Sequence, residues 1–125
     1  PGRASCNCSS ASEAMDNGQV IGIDLGGTAI KLARFDHRGA PLAELEVATP
    51  QPAGPGAVTM ALCDAVERLD PDGAVALVGV GLPGPMDAAA RVARVCINLP
   101  GWEDVPLAEW LEVRLQRRVT LATIY

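Results

Sequence analysis

The 125-residue chain has few aromatic residues, few basic residues and no long apolar run. Each shortage limits the kinds of core or partner that the protein can have. Two Trp, one Tyr and one Phe cannot fill a core, so Val, Leu, Ile and Ala must do so. Ten Lys and Arg against fifteen Asp and Glu argue against a nucleic-acid partner, because phosphate neutralisation needs clustered cations. No run approaches the ~20 apolar residues of a transmembrane helix, so we expect no membrane partner either.

The four cysteines predict neither a zinc site nor a disulfide framework. Cys6 and Cys8 lie in a small, polar N-terminal stretch, whereas Cys63 and Cys96 fall within helical and strand patterns. A zinc site needs paired CxxC motifs or added histidines at suitable spacing, and the sequence has neither. We therefore expect reduced thiols and a cytoplasmic location.

Hydrophobic patterning predicts an α/β fold with the element order βββαβ, a loop-rich excursion, and then αβ. Short turns between the first three strands indicate an antiparallel meander, and the later helix-linked strands indicate a mixed sheet. The leader 1–17 is predicted to be disordered, and the folded unit to cover 18–122. The predicted strands are 20–24, 28–35, 41–48, 75–81, 91–97 and 119–122, and the predicted helices are 57–69 and 106–118.

The most informative segment is VIGIDLGGTAIK, near the start of the predicted fold. Asp24 ends an apolar strand, where a carboxylate can hold hydrated Mg²⁺. Gly26 and Gly27 let the backbone turn sharply and present N–H groups to phosphate oxygens. Thr28 offers a hydroxyl and Lys31 an amine. Because these two stand three residues apart, they point to opposite strand faces, and only one is expected to reach a phosphate.

The alternative for this segment is a plain hairpin whose glycines serve only the turn. Phosphate binding is favoured because Asp24 ends a buried strand, where a carboxylate without a partner is costly. The spacing does not fit a P-loop, and a strand rather than a helix follows the glycines, unlike in the dinucleotide fingerprint.

Three segments together resemble the ROK sugar kinases, within the sugar kinase, Hsp70 and actin superfamily, and most of all the bacterial-type glucokinases. They are DLGGTAIK from Asp24, VGVGLPGPMD from Val78 and INLPGW from Ile97. The likeness covers about 20–122, the N-terminal portion of such a kinase. It implies a truncated N-terminal lobe of the actin-like, ribonuclease H-like ATPase fold, with 123–125 as an aberrant C-terminal end.

The resemblance implies ATP-dependent phosphorylation of a hexose by the full-length parent, with glucose to glucose 6-phosphate as the first choice. ATP and Mg²⁺ are the implied cofactors, and hexose and ATP the implied partners. The sugar is expected near Gly84, which allows close backbone approach, and Asn98, whose amide can donate to and accept from hydroxyls. Without the resemblance, a turn-forming role explains Asn98 equally well. The implied nucleotide residues are Asp24 (with Mg²⁺ held through water), Gly26, Gly27, Thr28 and Lys31.

The chain departs from the family after its last predicted strand, where the Asn-Asp segment carrying the general base does not follow. No catalytic residue is therefore assigned, and the 125 residues alone are expected to be inactive. Two alternatives remain: a ROK-type sugar-responsive transcriptional regulator, and a non-catalytic nucleotide-binding remnant. The resemblance also leaves room for a homodimer of the full-length parent.

Overall fold

The computed structural model describes residues 17–96 and 99–124, which form one five-stranded sheet, two helices and a two-stranded ribbon. Most of the predicted leader and Asn98 therefore lie outside the described residues. The elements are β1 (Val20–Leu25), β2 (Ala29–Phe35), β3 (Pro41–Ala48), α1 (Pro55–Leu69), β4 (Leu77–Leu82), β5 (Ala93–Val95), β6 (Glu103–Val105), α2 (Leu107–Leu115) and β7 (Arg118–Thr123).

The five-stranded sheet is mixed, as predicted, with the order β3-β2-β1-β4-β7. The first three strands form the antiparallel meander. β4 then lies parallel to β1, and β7 parallel to β4. The second connection runs through the β5–β6 ribbon and α2. The α/β architecture expected from the sequence is therefore present.

Both helices cover one face of the sheet, and the core between them is almost entirely aliphatic. Alternate residues of the central strands are buried on that side, for example Ile21 and Ile23 on β1 and Val78 and Val80 on β4. Successive side chains of a strand alternate between faces, so the opposite face carries Gly22 and Asp24 on β1 and Gly79 and Gly81 on β4, toward the carboxyl ends of the two strands. This open face is where the candidate site begins.

Several element boundaries differ from the prediction for identifiable reasons. α1 begins at Pro55 rather than residue 57, because proline suits the first helical turn. α2 ends at Leu115, since Gln116 adopts a left-handed conformation (φ 58°) that stops the helix. β6 is missing from the prediction.

Thr123 continues β7, and the N–H of Ile124 donates to the carbonyl of Leu82 at 2.8 Å, so the strand extends beyond its predicted end. The aberrant origin of 123–125 stays a prediction.

A buried carboxylate ties four elements together at the edge of the sheet where β4 and β7 begin. Asp70 follows α1 and is completely buried. Its oxygens accept the N–H groups of Ala74 at 3.0 Å and Val75 at 2.9 Å. The guanidinium of Arg117, just before β7, donates at 3.0 Å, and that of Arg34 on β2 lies 3.4 Å away. These contacts satisfy a charge that would otherwise be costly to bury.

The Asp70 cluster makes stability fall in acid. Burial by itself raises the pKa of Asp70, but the N–H groups of Val75 and Ala74 and the Arg117 guanidinium outweigh it, so the pKa lies below its ordinary 3.8. The contribution is therefore complete above that value and lost as the pH falls through the lower folded-state pKa. We expect the urea midpoint to fall between about pH 6 and about pH 3, and to fall less in Asp70→Asn. An equal fall in both proteins would contradict this assignment.

No helix of the described residues is long and apolar enough to cross a membrane.

Candidate functional site

The turn between β1 and β2 is so tight that one of its glycines cannot be replaced. The N–H of Gly26 donates to the carbonyl of Ala29 at 3.1 Å. A Cβ on Gly26 would lie only 2.7 Å from that oxygen. This closeness explains the glycine at the first position, and it leaves the following residues, Gly27 and Thr28, at the tip of the turn.

Asp24 and Lys31 lie directly opposite each other on β1 and β2, on the open face of the sheet. Both side chains are exposed, so the burial expected at Asp24 is absent. Both line an open pocket of about 550 Å³ that Gly81 and Phe35 also line. Thr28 precedes β2 instead of belonging to it, so strand alternation does not govern its direction. The predicted carboxylate and amine thus share one open hollow, beside the turn.

The segment that follows β3 donates hydrogen bonds to the carbonyl oxygens of the turn. The hydroxyl of Thr49 donates to Gly26 O at 2.7 Å, and its backbone N–H donates to Thr28 O at 2.9 Å. The side-chain amide of Gln51 donates to Gly27 O at 2.9 Å. Neither Thr49 nor Gln51 was singled out from the sequence, because their partners are backbone atoms more than twenty residues away.

The N–H groups of Gly27 and Thr28 have no acceptor within residues 17–96 and 99–124. Two adjacent backbone donors at an exposed turn form a place where an anion can bind. The predicted phosphate-binding turn therefore has donors available, a neighbouring amine and a neighbouring carboxylate.

The loop after β4 packs backbone against backbone on β5. Gly84 is buried, and a Cβ there would lie 1.9 Å from the carbonyl oxygen of Val95. The backbone at Gly84 thus approaches closely the strand that leads toward Asn98. A sugar beside Gly84 stays a prediction. Since Asn98 lies outside the described residues, its place at a sugar stays a prediction.

Trp102 anchors the loop 99–102 through its buried side chain. Its side chain is 3% exposed, and its indole N–H donates to the carbonyl of Ala53 at 2.8 Å. Trp102 therefore packs within the core and fixes its loop against the segment that also contains Thr49 and Gln51.

A second network of hydrogen bonds stiffens the loop after β4. The carboxylate of Asp87 accepts the N–H groups of Arg91 at 2.7 Å and Val92 at 2.9 Å, which lowers the pKa of Asp87. The guanidinium of Arg91 pairs with Glu112 on α2 and donates to Val119 O at 3.0 Å. That pairing, more than the N–H of Val119, lowers the pKa of Glu112. Both carboxylates remain ionised at neutral pH and lock the loop to α2 and β7.

The turn and the loop leave the sheet at the same edge. β1 and β4 are parallel, with Asp24 paired to Gly81, so the turn after Leu25 and the loop after Leu82 both follow carboxyl ends of adjacent strands. Ligands of open α/β sheets bind at this edge. The structure thus brings the predicted nucleotide residues and Gly84 to one end of the molecule.

The donor set near the turn fits magnesium better than a metal that needs a protein cage. No cluster of three or more His, Cys, Asp or Glu side chains occurs among the described residues. Mg²⁺ commonly uses one or two carboxylates, with water and phosphate oxygens completing its coordination. Asp24, exposed beside two backbone donors, suits that mode.

Comparison with known proteins gives a consistent result. The profile of the ROK family matches residues 20–123. A glucokinase of Thermotoga maritima is 28% identical over 103 residues, which are 82% of this chain and 32% of that protein. An N-acetyl-D-glucosamine kinase of Citrobacter koseri is 36% identical over 104 residues, 80% of this chain and 33% of that protein. The chain thus spans about a third of the length of these relatives.

Solved structures agree on the fold. A ROK family glucokinase from Streptomyces griseus, in complex with glucose and AMPPNP, superimposes with a TM-score of 0.75 at 30% identity, covering 82% of this chain and 32% of that one. A ROK family transcriptional regulator homologous to the MLC protein of E. coli superimposes with a TM-score of 0.73 at 15% identity. The match covers 84% of this chain and 27% of the regulator. The second likeness concerns the fold alone, so the fold does not by itself separate a kinase from a regulator.

Proposed function

Since this chain belongs to the ROK family, we propose that the whole protein transfers a phosphoryl group from ATP to a hexose. The observation that carries the proposal is the group of features beside the β1–β2 turn. Asp24 and Lys31 line one open pocket, and the neighbouring tip carries two backbone N–H groups that have no acceptor in the part of the chain that the structure describes. An ATP tail needs such backbone donors, a cation and a metal-holding carboxylate, because phosphoryl transfer depends mostly on positioning and charge stabilisation.

Each residue of the site has a distinct part in this proposal. The N–H groups of Gly27 and Thr28 donate to phosphate oxygens, and Gly26 makes the turn that presents them. Lys31 supplies positive charge from β2, and the hydroxyl of Thr28 adds a donor. Asp24 would hold Mg²⁺ through water, and the ion would supply charge neutralisation on the phosphates.

Glucose is the proposed acceptor, with N-acetylglucosamine as its competitor. Both sugars appear in the names of kinases similar to this chain. We place the hexose beside the loop that carries Gly84 and beside Asn98, at the edge of the sheet that the turn also occupies. A cytoplasmic location and a homodimer stay predictions.

The proposal is tested in a longer protein that contains this chain, by following ADP formation with glucose, N-acetylglucosamine, mannose and fructose. We expect Asp24→Asn to lower kcat at least about 100-fold, because metal-assisted charge neutralisation is lost. Asp64→Asn, an exposed change on α1 under the other face of the sheet, serves as the matched control and should stay within about 2-fold. Full activity of Asp24→Asn would refute the assigned site.

The same assay separates the alternatives. The 125 residues alone should give no turnover, because the family's general base and the second lobe are not among them, and each contributes to rate. A sugar-responsive regulator would form no ADP with any sugar and would bind DNA in a sugar-dependent way. A remnant would bind nucleotide and do neither.

A further inference from the structure

The segment 49–51 donates hydrogen bonds to the carbonyl oxygens of three successive residues in the β1–β2 turn. Thr49 binds Gly26 O through its hydroxyl and Thr28 O through its backbone N–H. Gln51 binds Gly27 O through its side-chain amide. Gly26 O and Gly27 O are thus held by side chains, so these two bonds depend on the identity of residues 49 and 51.

Fixing a carbonyl also fixes the N–H that follows it. In a trans peptide the C=O of one residue and the N–H of the next point in opposite directions across a rigid plane. The peptides of this turn are trans. The Thr49 bond to Gly26 O therefore directs the N–H of Gly27 away from Thr49, and the Gln51 bond to Gly27 O directs the N–H of Thr28 away from Gln51.

These two N–H groups are the ones left without an acceptor among the described residues. The turn therefore combines two features. The side chains of Thr49 and Gln51 set the orientation of two peptide planes, and each plane directs its N–H group to the opposite side.

We propose that Thr49 and Gln51 are positioning residues that orient the Gly27 and Thr28 N–H groups toward the oxygens of a polyphosphate. They act through the backbone and do not touch the ligand. The inference rests on the proposed function of this turn as the phosphate site. Donors that are already oriented cost less to organise on binding, so the two side chains contribute affinity without a contact of their own.

The bracing segment is itself firmly anchored. Thr49 is 3% exposed and Ala53 is 2% exposed. The carbonyl of Ala53 accepts the indole N–H of buried Trp102, from the loop that follows the predicted sugar residue. The segment between Thr49 and Ala53 therefore links the phosphate turn to the second loop of the site, and a rigid brace can hold both in register.

The test is an NMR titration of the full 125-residue chain, labelled with ¹⁵N. Inorganic tripolyphosphate is added in the presence of Mg²⁺, and the amide signals of Gly27 and Thr28 report binding. Thr49→Val keeps the shape and the backbone N–H but removes the hydroxyl donor. We expect its dissociation constant to rise about 5- to 10-fold, and that of Gln51→Ala to rise about 2- to 5-fold because its bond is exposed. Thr49→Ser should restore binding to within about 2-fold.

Thr120→Val, an exposed threonine on β7, is the matched control and should bind like the unaltered chain. Thermal melts of every variant separate loss of folding from loss of binding. If Thr49→Val binds as well as the unaltered chain, the positioning role is wrong and the phosphate turn still stands. If Thr49→Ser binds as weakly as Thr49→Val, the role is packing and the inference is also overturned.

If tripolyphosphate leaves the Gly27 and Thr28 signals of the unaltered chain unmoved, the inference is overturned together with the assignment of the turn. That result is distinct from failure of the hexose-kinase proposal, which is judged by ADP formation in the longer protein.

Discussion

Asp70→Asn is expected to lower the free energy of unfolding by about 3–5 kcal/mol, because it leaves the Arg117 guanidinium buried without its counter-charge. The side chain of Arg117 is only 8% exposed, so water cannot replace the lost carboxylate. The new amide group also turns a donor toward the N–H of Ala74 or of Val75, each of which now donates to a carboxylate oxygen. Such a loss is a large part of the stability of a domain of this size.

Urea denaturation at neutral pH, followed by far-UV circular dichroism, measures this effect. The matched control is Asp72→Asn, which makes the same change on an exposed side chain two residues away, and it should shift the free energy of unfolding by less than about 0.5 kcal/mol. If the two variants unfold at the same urea concentration, the cluster does not hold the four elements together.

Gly84→Ala is expected to disrupt both the fold and the site. The added Cβ would lie 1.9 Å from Val95 O and 2.9 Å from Val95 C, and backbone atoms cannot move aside as a flexible side chain can. We expect destabilisation of about 3 kcal/mol or more, at the upper end of overpacking effects. Because β5 must separate from the loop after β4, the segment that leads to Asn98 moves too. In the longer protein, KM for the hexose should rise at least about 10-fold, while KM for ATP changes less.

Gly79→Ala is the matched control for this substitution. Gly79 lies on β4 itself, and a Cβ there has nothing within 4 Å, so the same change should alter the free energy of unfolding by less than about 0.5 kcal/mol. The measurements are a thermal melt of the chain and steady-state kinetics of the longer protein with each substrate varied in turn. Equal effects of the two substitutions on stability or on hexose KM would contradict the role of Gly84.

Strands and helices with a strong apolar pattern were predictable from the sequence, and short or irregular elements were not. The run around Ile21 and Ile23 and the helical spacing of Val58 and Leu62 report burial directly, because burial selects the residue type. β6 has three residues, two of them acidic, and its pairing with β5 depends on the path of the intervening loop. No local pattern encodes that path.

The candidate site divides in the same way. Asp24, Gly26 and Gly27 were identifiable because their chemistry is concentrated within a few neighbouring positions. Thr49 and Gln51 were not, because each is an ordinary polar residue whose partner is a distant carbonyl. The basic residues Arg114, Arg117 and Arg118 predict a solvated helix end. That prediction is wrong for Arg117, because α2 ends at Leu115 and the side chain turns inward to Asp70.

The parallel pairing of β4 has a consequence for how the chain is made. The two neighbours of β4 are far apart in the sequence, since β1 precedes it by about fifty residues and β7 follows it by about forty. During synthesis the meander and α1 can assemble early, because their contacts are local. The position beside β4 stays unoccupied until residues 118–123 have left the ribosome. Until then Asp70 lacks Arg117, so arrival of β7 both adds the fifth strand and brings the counter-charge of Asp70.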